Sequence, residues 1–83
     1  MALRVLGTSW CSDCTRSKAF LDRHQIAYDW IDIEANDDAA RDAAREVEAR
    51  NGGVRVVPTI ILEDGSTLVE PSDEELGAAL GLH

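Results

Sequence analysis

Several things are scarce in this 83-residue chain. No apolar stretch approaches the roughly 20 residues needed to cross a bilayer, so a membrane span is not expected. The start, Met1-Ala2-Leu3-Arg4, lacks a basic segment followed by an apolar core, so no export signal is expected and the cytoplasm is the expected compartment. Eight basic against sixteen acidic side chains leave a formal charge of −8. No basic stripe exists to neutralise phosphates, which argues against nucleic acid and anionic membrane surfaces as partners. There are two prolines and two cysteines. Two cysteines cannot build a disulfide scaffold, and they make only half of a structural zinc shell. His24 and His83 do not complete one, because neither has ligand-like spacing; no metal site is expected.

Both cysteines lie in Trp10-Cys11-Ser12-Asp13-Cys14, after the apolar run Leu3-Arg4-Val5-Leu6 and before the amphipathic run Thr15 to His24. A Cys-x-x-Cys at a strand-to-helix junction sets the first sulfur at a helix N-terminus. There the free N–H groups and the positive end of the macrodipole favour a thiolate. The second sulfur follows one turn later on the same face, within bridging reach. This arrangement supplies a nucleophile and a group able to close a disulfide behind it. The chemistry it points to is thiol–disulfide exchange, and in a reducing compartment paired cysteines are more often catalytic than structural.

The rest of the chain reads as one small domain, residues 1–83. Leu3 to Gly7 is a short buried strand, and Ile26 to Ile33 alternates as a second strand. Asn36 is the expected cap of the next helix, with pairs Asp37–Arg41 and Glu46–Arg50 along it and Gly52 after its end. Ala40, Ala43, Ala44 and Val47 give that helix a small-residue face able to lie close to a sheet. Pro58 to Leu62, Asp64-Gly65 and Thr67 to Val69 read as a tight antiparallel hairpin. Ser72 and Glu75 form a capping box for a last helix running to about Leu80. The order is βαβαββα. Phe20, Tyr28 and Trp30 are expected in the core or half-buried on the sheet. Trp10 is either an exposed neighbour of the site or a ring packed on the sheet edge. His24 is a helix-end residue and His83 a tail.

That order, with Cys-x-x-Cys after the first strand and Val57-Pro58-Thr59 leading into the third, resembles the glutaredoxin branch of the thioredoxin fold from Leu3 to Leu80. Thr8-Ser9-Trp10-Cys11, Asp32-Ile33-Glu34, Asn51-Gly52-Gly53 and Asp64-Gly65-Ser66-Thr67-Leu68 look more narrowly like the actinobacterial mycoredoxins. The resemblance implies an α/β thioredoxin-like fold, a four-stranded mixed sheet flanked by helices. It implies reduction of mixed disulfides between proteins and a low-molecular-weight thiol, mycothiol or glutathione, used as co-substrate rather than as a bound cofactor. A monomer acting on S-thiolated or disulfide-containing proteins is expected.

Carried over position by position, the resemblance makes Cys11 the exposed nucleophile and Cys14 the buried resolving thiol. It makes Pro58 a cis proline, with the backbone of Val57 turned out to pair with substrate like an added strand. Ser72 and Asp73 fall where the family holds the small thiol. Trp10, Ser12, Asp13 and Arg16 flank the nucleophile, with Arg16 the basic residue expected to support a thiolate. There are departures. Ser12-Asp13 stand where common dithiol members have Pro-Tyr, and Asp13 puts a negative charge beside the nucleophile. Glu70-Pro71 replace a frequent glycine pair before the last helix. The basic residue that glutathione users often place shortly before the motif is missing from Thr8-Ser9-Trp10. Glutathione carries carboxylates needing cationic partners, whereas mycothiol is an uncharged sugar-linked thiol, so the acidic balance favours mycothiol. Two other functions fit the same residues: an electron donor recharged by a thioredoxin-reductase-like flavoenzyme, and an iron–sulfur carrier holding a cluster between two copies of Cys11.

Overall fold

The computed structural model describes residues 3–82; the expectations for the first two residues and for His83 lie outside them. The elements are β1 (Leu3–Gly7), α1 (Ser12–Arg23), β2 (Tyr28–Asp32), α2 (Asp38–Arg50), β3 (Thr59–Ile61), β4 (Thr67–Val69) and α3 (Asp73–Ala79). The sheet order is β2-β1-β3-β4. β1 pairs in parallel with β2, from Leu3 against Tyr28 to Gly7 against Asp32. It pairs antiparallel with β3, which pairs antiparallel with β4. This is the expected four-stranded mixed sheet with three helices.

The period-2 alternation of the central strand builds two cores. Leu3 and Val5 point to the face covered by α1 and α3, where they meet Phe20, Leu21, Ile60 and Leu76. Leu6 points to the opposite face, where Ala43, Ala44 and Val47 of α2 pack with Ile33 and Ile61. The alanines let α2 approach closely, as its sequence implies. Arg4 emerges on this second side and is held by both carboxylate oxygens of Glu46, at 2.9 and 2.7 Å. Each fully buried Leu, Ile or Val contributes about 1.5–3 kcal/mol.

Several local expectations shift. The cap of α2 is Asp37, not Asn36: Asp37 is extended and its Oδ1 accepts the Ala40 N–H at 2.7 Å. With Asp37 occupied, Arg41 pairs with Asp38 one residue on. The Glu46–Arg50 pair forms at 3.5 Å as read. β2 is shorter than the alternating run, because the Ile26 N–H still closes the end of α1 on the Leu21 carbonyl at 2.9 Å. The hairpin turn is wider than a two-residue loop, with the Leu62 N–H bonded to the Ser66 carbonyl at 2.9 Å and Gly65 at φ 89°. α3 carries the complete capping box of Ser72 and Glu75, both bonds at 3.1 Å. The Val57–Pro58 peptide is cis.

Candidate active site

β1 ends at Gly7, and residues 8–10 turn the chain so that α1 begins inside the cysteine motif. Cys11 is its N-cap, with extended backbone (φ −80°, ψ 116°). Its Sγ accepts the backbone N–H of Cys14 at 3.1 Å, and its carbonyl accepts the Thr15 N–H at 3.1 Å. A cysteine therefore occupies the place that Ser, Asp or Thr usually takes. Its sulfur receives a donor at the positive end of the helix, where an anion is favoured.

Cys11 lies on an open cleft of about 520 Å³ lined by Trp10, Cys11, Ser12, Asp13, Arg55, Val56, Val57 and Glu70. It is less exposed than expected. Only 7 % of its surface reaches solvent. Cys14 is fully buried behind it. Burial first, and then the hydrogen bond with the Cys11 side chain, push the Cys14 thiol up to about 12. The two sulfurs of the motif thus occupy different environments one helical turn apart.

The basic residues after the motif are engaged elsewhere. Arg16 donates to Asp73 Oδ1 at 2.7 Å and to the Pro71 carbonyl at 3.1 Å, with Asp13 at 3.6 Å. Its guanidinium bridges α1 to the start of α3, and its hydrogen bonds go to Asp73 and Pro71 and not to the Cys11 sulfur. It does place a cation near Asp13, which offsets part of the charge that residue brings to the cleft. Lys18 sits 3.7 Å over the Trp30 ring.

Of the other sequence-derived positions, Trp10, Ser12, Asp13 and Val57 meet on the cleft with Cys11. Trp10 is exposed, with its Nε1–H donating to Glu34 Oε1 at 2.7 Å. Pro58 is buried and its carbonyl accepts the Glu70 N–H at 2.9 Å. Ser72 and Asp73 do not line the cleft; they are taken up by the α3 cap and by Arg16. Arg55, Val56 and Glu70 complete the walls without having been singled out as site residues. Arg55 had one signal, as the single cation between Gly53 and Pro58. It donates to Glu48 Oε1 at 2.9 Å. Glu70 had another, since it stands where related chains often have glycine. Its φ of 47° is the left-handed conformation that glycine adopts freely.

Among the described residues no three His, Cys, Asp or Glu side chains converge as a metal site, and no helix is long and apolar enough to cross a membrane.

The Glutaredoxin family model matches residues 3–66. A candidate glutaredoxin of Mycobacterium tuberculosis is 49 % identical over 79 residues, covering 95 % of this chain and 89 % of the relative. Mycoredoxin 1 of Corynebacterium glutamicum is 30 % identical over 76 residues, 92 % of this chain and 89 % of the relative. Among solved structures, the glutaredoxin of Archaeoglobus fulgidus superposes with a TM-score of 0.80 at 23 % identity, covering 96 % of this chain and 87 % of that one. A buckwheat glutaredoxin–glutathione complex gives 0.67 at 21 %, covering 96 % and 70 %. With the cysteine pair set at the head of α1 and the family pattern running through both, this chain belongs to the glutaredoxin family and is a thiol–disulfide oxidoreductase of that family.

Proposed function

We propose that the protein reduces mixed disulfides between proteins and a low-molecular-weight thiol, with mycothiol as the physiological thiol, Cys11 as nucleophile and Cys14 as resolving residue. The observation that carries this reading is the pairing of unlike sulfurs. One sits on the cleft at the helix cap with a donor aimed at it; the other is buried and holds its proton.

In the first step the Cys11 thiolate attacks the small thiol's sulfur in the protein–S–S–thiol bond. A Cys11–S–S–thiol bond forms, the target's sulfur leaves as a thiolate and takes a proton from water. A second molecule of the small thiol, as thiolate, then attacks the small-thiol sulfur held on Cys11. It departs as the symmetrical disulfide and Cys11 is restored. Alternatively Cys14 attacks Cys11 and expels the small thiol. Burial raises the Cys14 thiol above its ordinary value and keeps it mostly protonated at pH 7, which favours the route through a second small thiol. Val57 lines the cleft, and in this reading its backbone would pair with a substrate strand.

The choice of mycothiol rests on the cleft's charge. Asp13 and Glu70 share the cleft with one lining cation, Arg55, which Glu48 already holds, and the Arg16 guanidinium 3.6 Å from Asp13 is bonded to Asp73. Glutathione's two carboxylates find little there to bind, while an uncharged thiol meets no penalty. The similarity to a mycoredoxin points the same way. The reading needs a single chain and a reducing compartment such as the cytoplasm.

The test supplies one S-thiolated protein substrate with mycothiol, glutathione or a thioredoxin-reductase system as the only reductant. Turnover sustained at least tenfold better by mycothiol is expected. Equal or better turnover with the flavoenzyme makes the chain an electron-donor redoxin instead.

A further inference from the structure

Among the described residues Trp10 is the most exposed of the large apolar side chains, with 69 % of its surface in solvent, and it stands next to the nucleophile. An indole left in water needs a reason. Here the ring is also fixed: its Nε1–H donates to the Glu34 carboxylate at 2.7 Å, a charge-assisted bond that sets the ring plane. Trp10 and Cys11 line the same cleft, and the remaining polar lining is Ser12, Asp13, Arg55 and Glu70.

We propose that Trp10, pinned by Glu34, is the platform of a subsite for the hydroxyl-bearing ring of the small thiol, with the Asp13 and Glu70 carboxylates as acceptors for its hydroxyls. This rests on the reading of the thiol as mycothiol and assigns the residues that select it. The chemistry matches on both surfaces. The face of an indole carries the negative part of its quadrupole, which suits the slightly positive C–H groups on the flat side of a saturated sugar ring. Carboxylates only accept hydrogen bonds at neutral pH, and hydroxyl groups donate them. A peptide-like thiol has amide and ammonium donors but no flat saturated ring to lie on the indole, and it brings carboxylates into a cleft that already holds two. Because Glu34 orders the indole before binding, less freedom is lost when the ring docks.

Kinetics with two small mixed disulfides, one carrying mycothiol and one glutathione on the same leaving thiol, test the assignment. Wild type, Trp10→Ala, Trp10→Phe and Glu34→Ala are compared. Trp10→Ala is expected to lower kcat/KM at least tenfold for the mycothiol compound and no more than about threefold for the glutathione compound, mainly through KM. Trp10→Phe retains part of the discrimination, and Glu34→Ala loses about threefold on the mycothiol compound alone. Direct binding is read with S-methyl mycothiol, which cannot react: tryptophan emission changes in the wild type and not in Trp10→Phe, where Trp30 alone remains. A wild type inactive on the mycothiol compound sinks the functional reading itself. Wild-type activity on that compound with an unchanged ratio in Trp10→Ala overturns the subsite only. So does a loss that appears with protein substrates of either thiol and not with the small compounds, which would give Trp10 to the target protein.

Discussion

A Cβ placed on Gly7 would lie 2.4 Å from the Sγ of Cys14, and 3.0 and 3.1 Å from two carbons of the Trp30 ring. The last residue of β1 is therefore bare because the Cys14 sulfur occupies the space a side chain would need. Its backbone is ordinary strand, so the requirement is room and not conformational freedom. Gly7 is the reason α1 can carry Cys14 down against the sheet and out of water.

Gly7→Ala is accordingly expected to destabilise the fold by about 1–3 kcal/mol, the usual range for an overpacked core. Combining it with Cys14→Ala should recover a large part of that loss, since the sulfur is the tighter of the two contacts. Urea unfolding of the four proteins of this cycle gives the coupling directly. Additive losses would mean that Trp30, and not the sulfur, sets the clearance.

The unlike environments of the two cysteines predict an unequal pair of variants. Cys11→Ser should abolish reduction of mixed disulfides, because among the described residues no other thiol lines the cleft. Cys14→Ser should keep more than about a third of the wild-type rate, since in the proposed cycle a second small thiol can resolve the mixed disulfide without Cys14. Single-turnover trapping of the Cys11 mixed disulfide by mass spectrometry separates the steps. Equal loss in both variants contradicts the route.

Alkaline stability follows from the same burial. The Cys14 thiol is raised from an ordinary value of 9.0 to about 12. Below pH 9 folded and unfolded chains both keep this proton, and the thiol's contribution is complete. From about pH 9 to pH 12 the unfolded chain releases it while the folded chain does not. Stability then falls by up to roughly 1 kcal/mol per pH unit, and the contribution is gone above the folded value. Denaturation midpoints from pH 8 to 10.5 should decline more steeply for the wild type than for Cys14→Ala. Parallel curves would show that Cys14 ionises as freely in the fold as outside it.

Local signals in the sequence were readable to the residue where one segment decides the outcome. The capping box of Ser72 and Glu75 and the alanine face of α2 need only their own helices. Asp37 displaced Asn36 as a cap because neighbouring cap-forming residues compete, and backbone geometry chooses between them. The cleft was half legible. Trp10, Cys11, Ser12 and Asp13 share one turn of chain with the motif, whereas Arg55 and Glu70 arrive from connections on either side of the hairpin strands. Arg16 shows the opposite failure. Its spacing from Cys11 invites a role at the sulfur, but Asp73, 57 residues away, claims it, and only the packing of α3 on α1 reveals that.

Arg16→Met tests this reassignment. The thioether retains the apolar stem and removes the bonds to Asp73 and the Pro71 carbonyl. Arg16 and Asp73 are 38 % and 40 % exposed, so screening limits the pair, and a stability loss of about 1 kcal/mol is expected for the ion pair and the carbonyl bond together. The rate on a mixed disulfide should fall less than about threefold at pH 7. A tenfold fall with an unchanged denaturation midpoint would return Arg16 to the chemistry.

Glu70 joins the backbone and the charge of the cleft in one position. Its left-handed φ of 47° costs a side-chain-bearing residue about 1–2 kcal/mol, while glycine there would lose about 0.5–1 kcal/mol through its freer unfolded chain. Glu70→Gly should therefore leave the midpoint of urea unfolding within about 1 kcal/mol of wild type, unlike most losses of a native side chain. The same change removes a carboxylate from the cleft wall. At about 8 Å in a largely aqueous cleft, repulsion between two carboxylates is about 0.5–1 kcal/mol, which converts to a two- to fivefold effect. The ratio of kcat/KM for glutathione over mycothiol mixed disulfides should rise by that factor and shrink again in high salt. A rise that salt does not reduce would trace the selectivity to the lost hydroxyl acceptor or to shape and not to charge repulsion, and a large destabilisation would show that Glu70 supplies a contact stronger than the strain it carries.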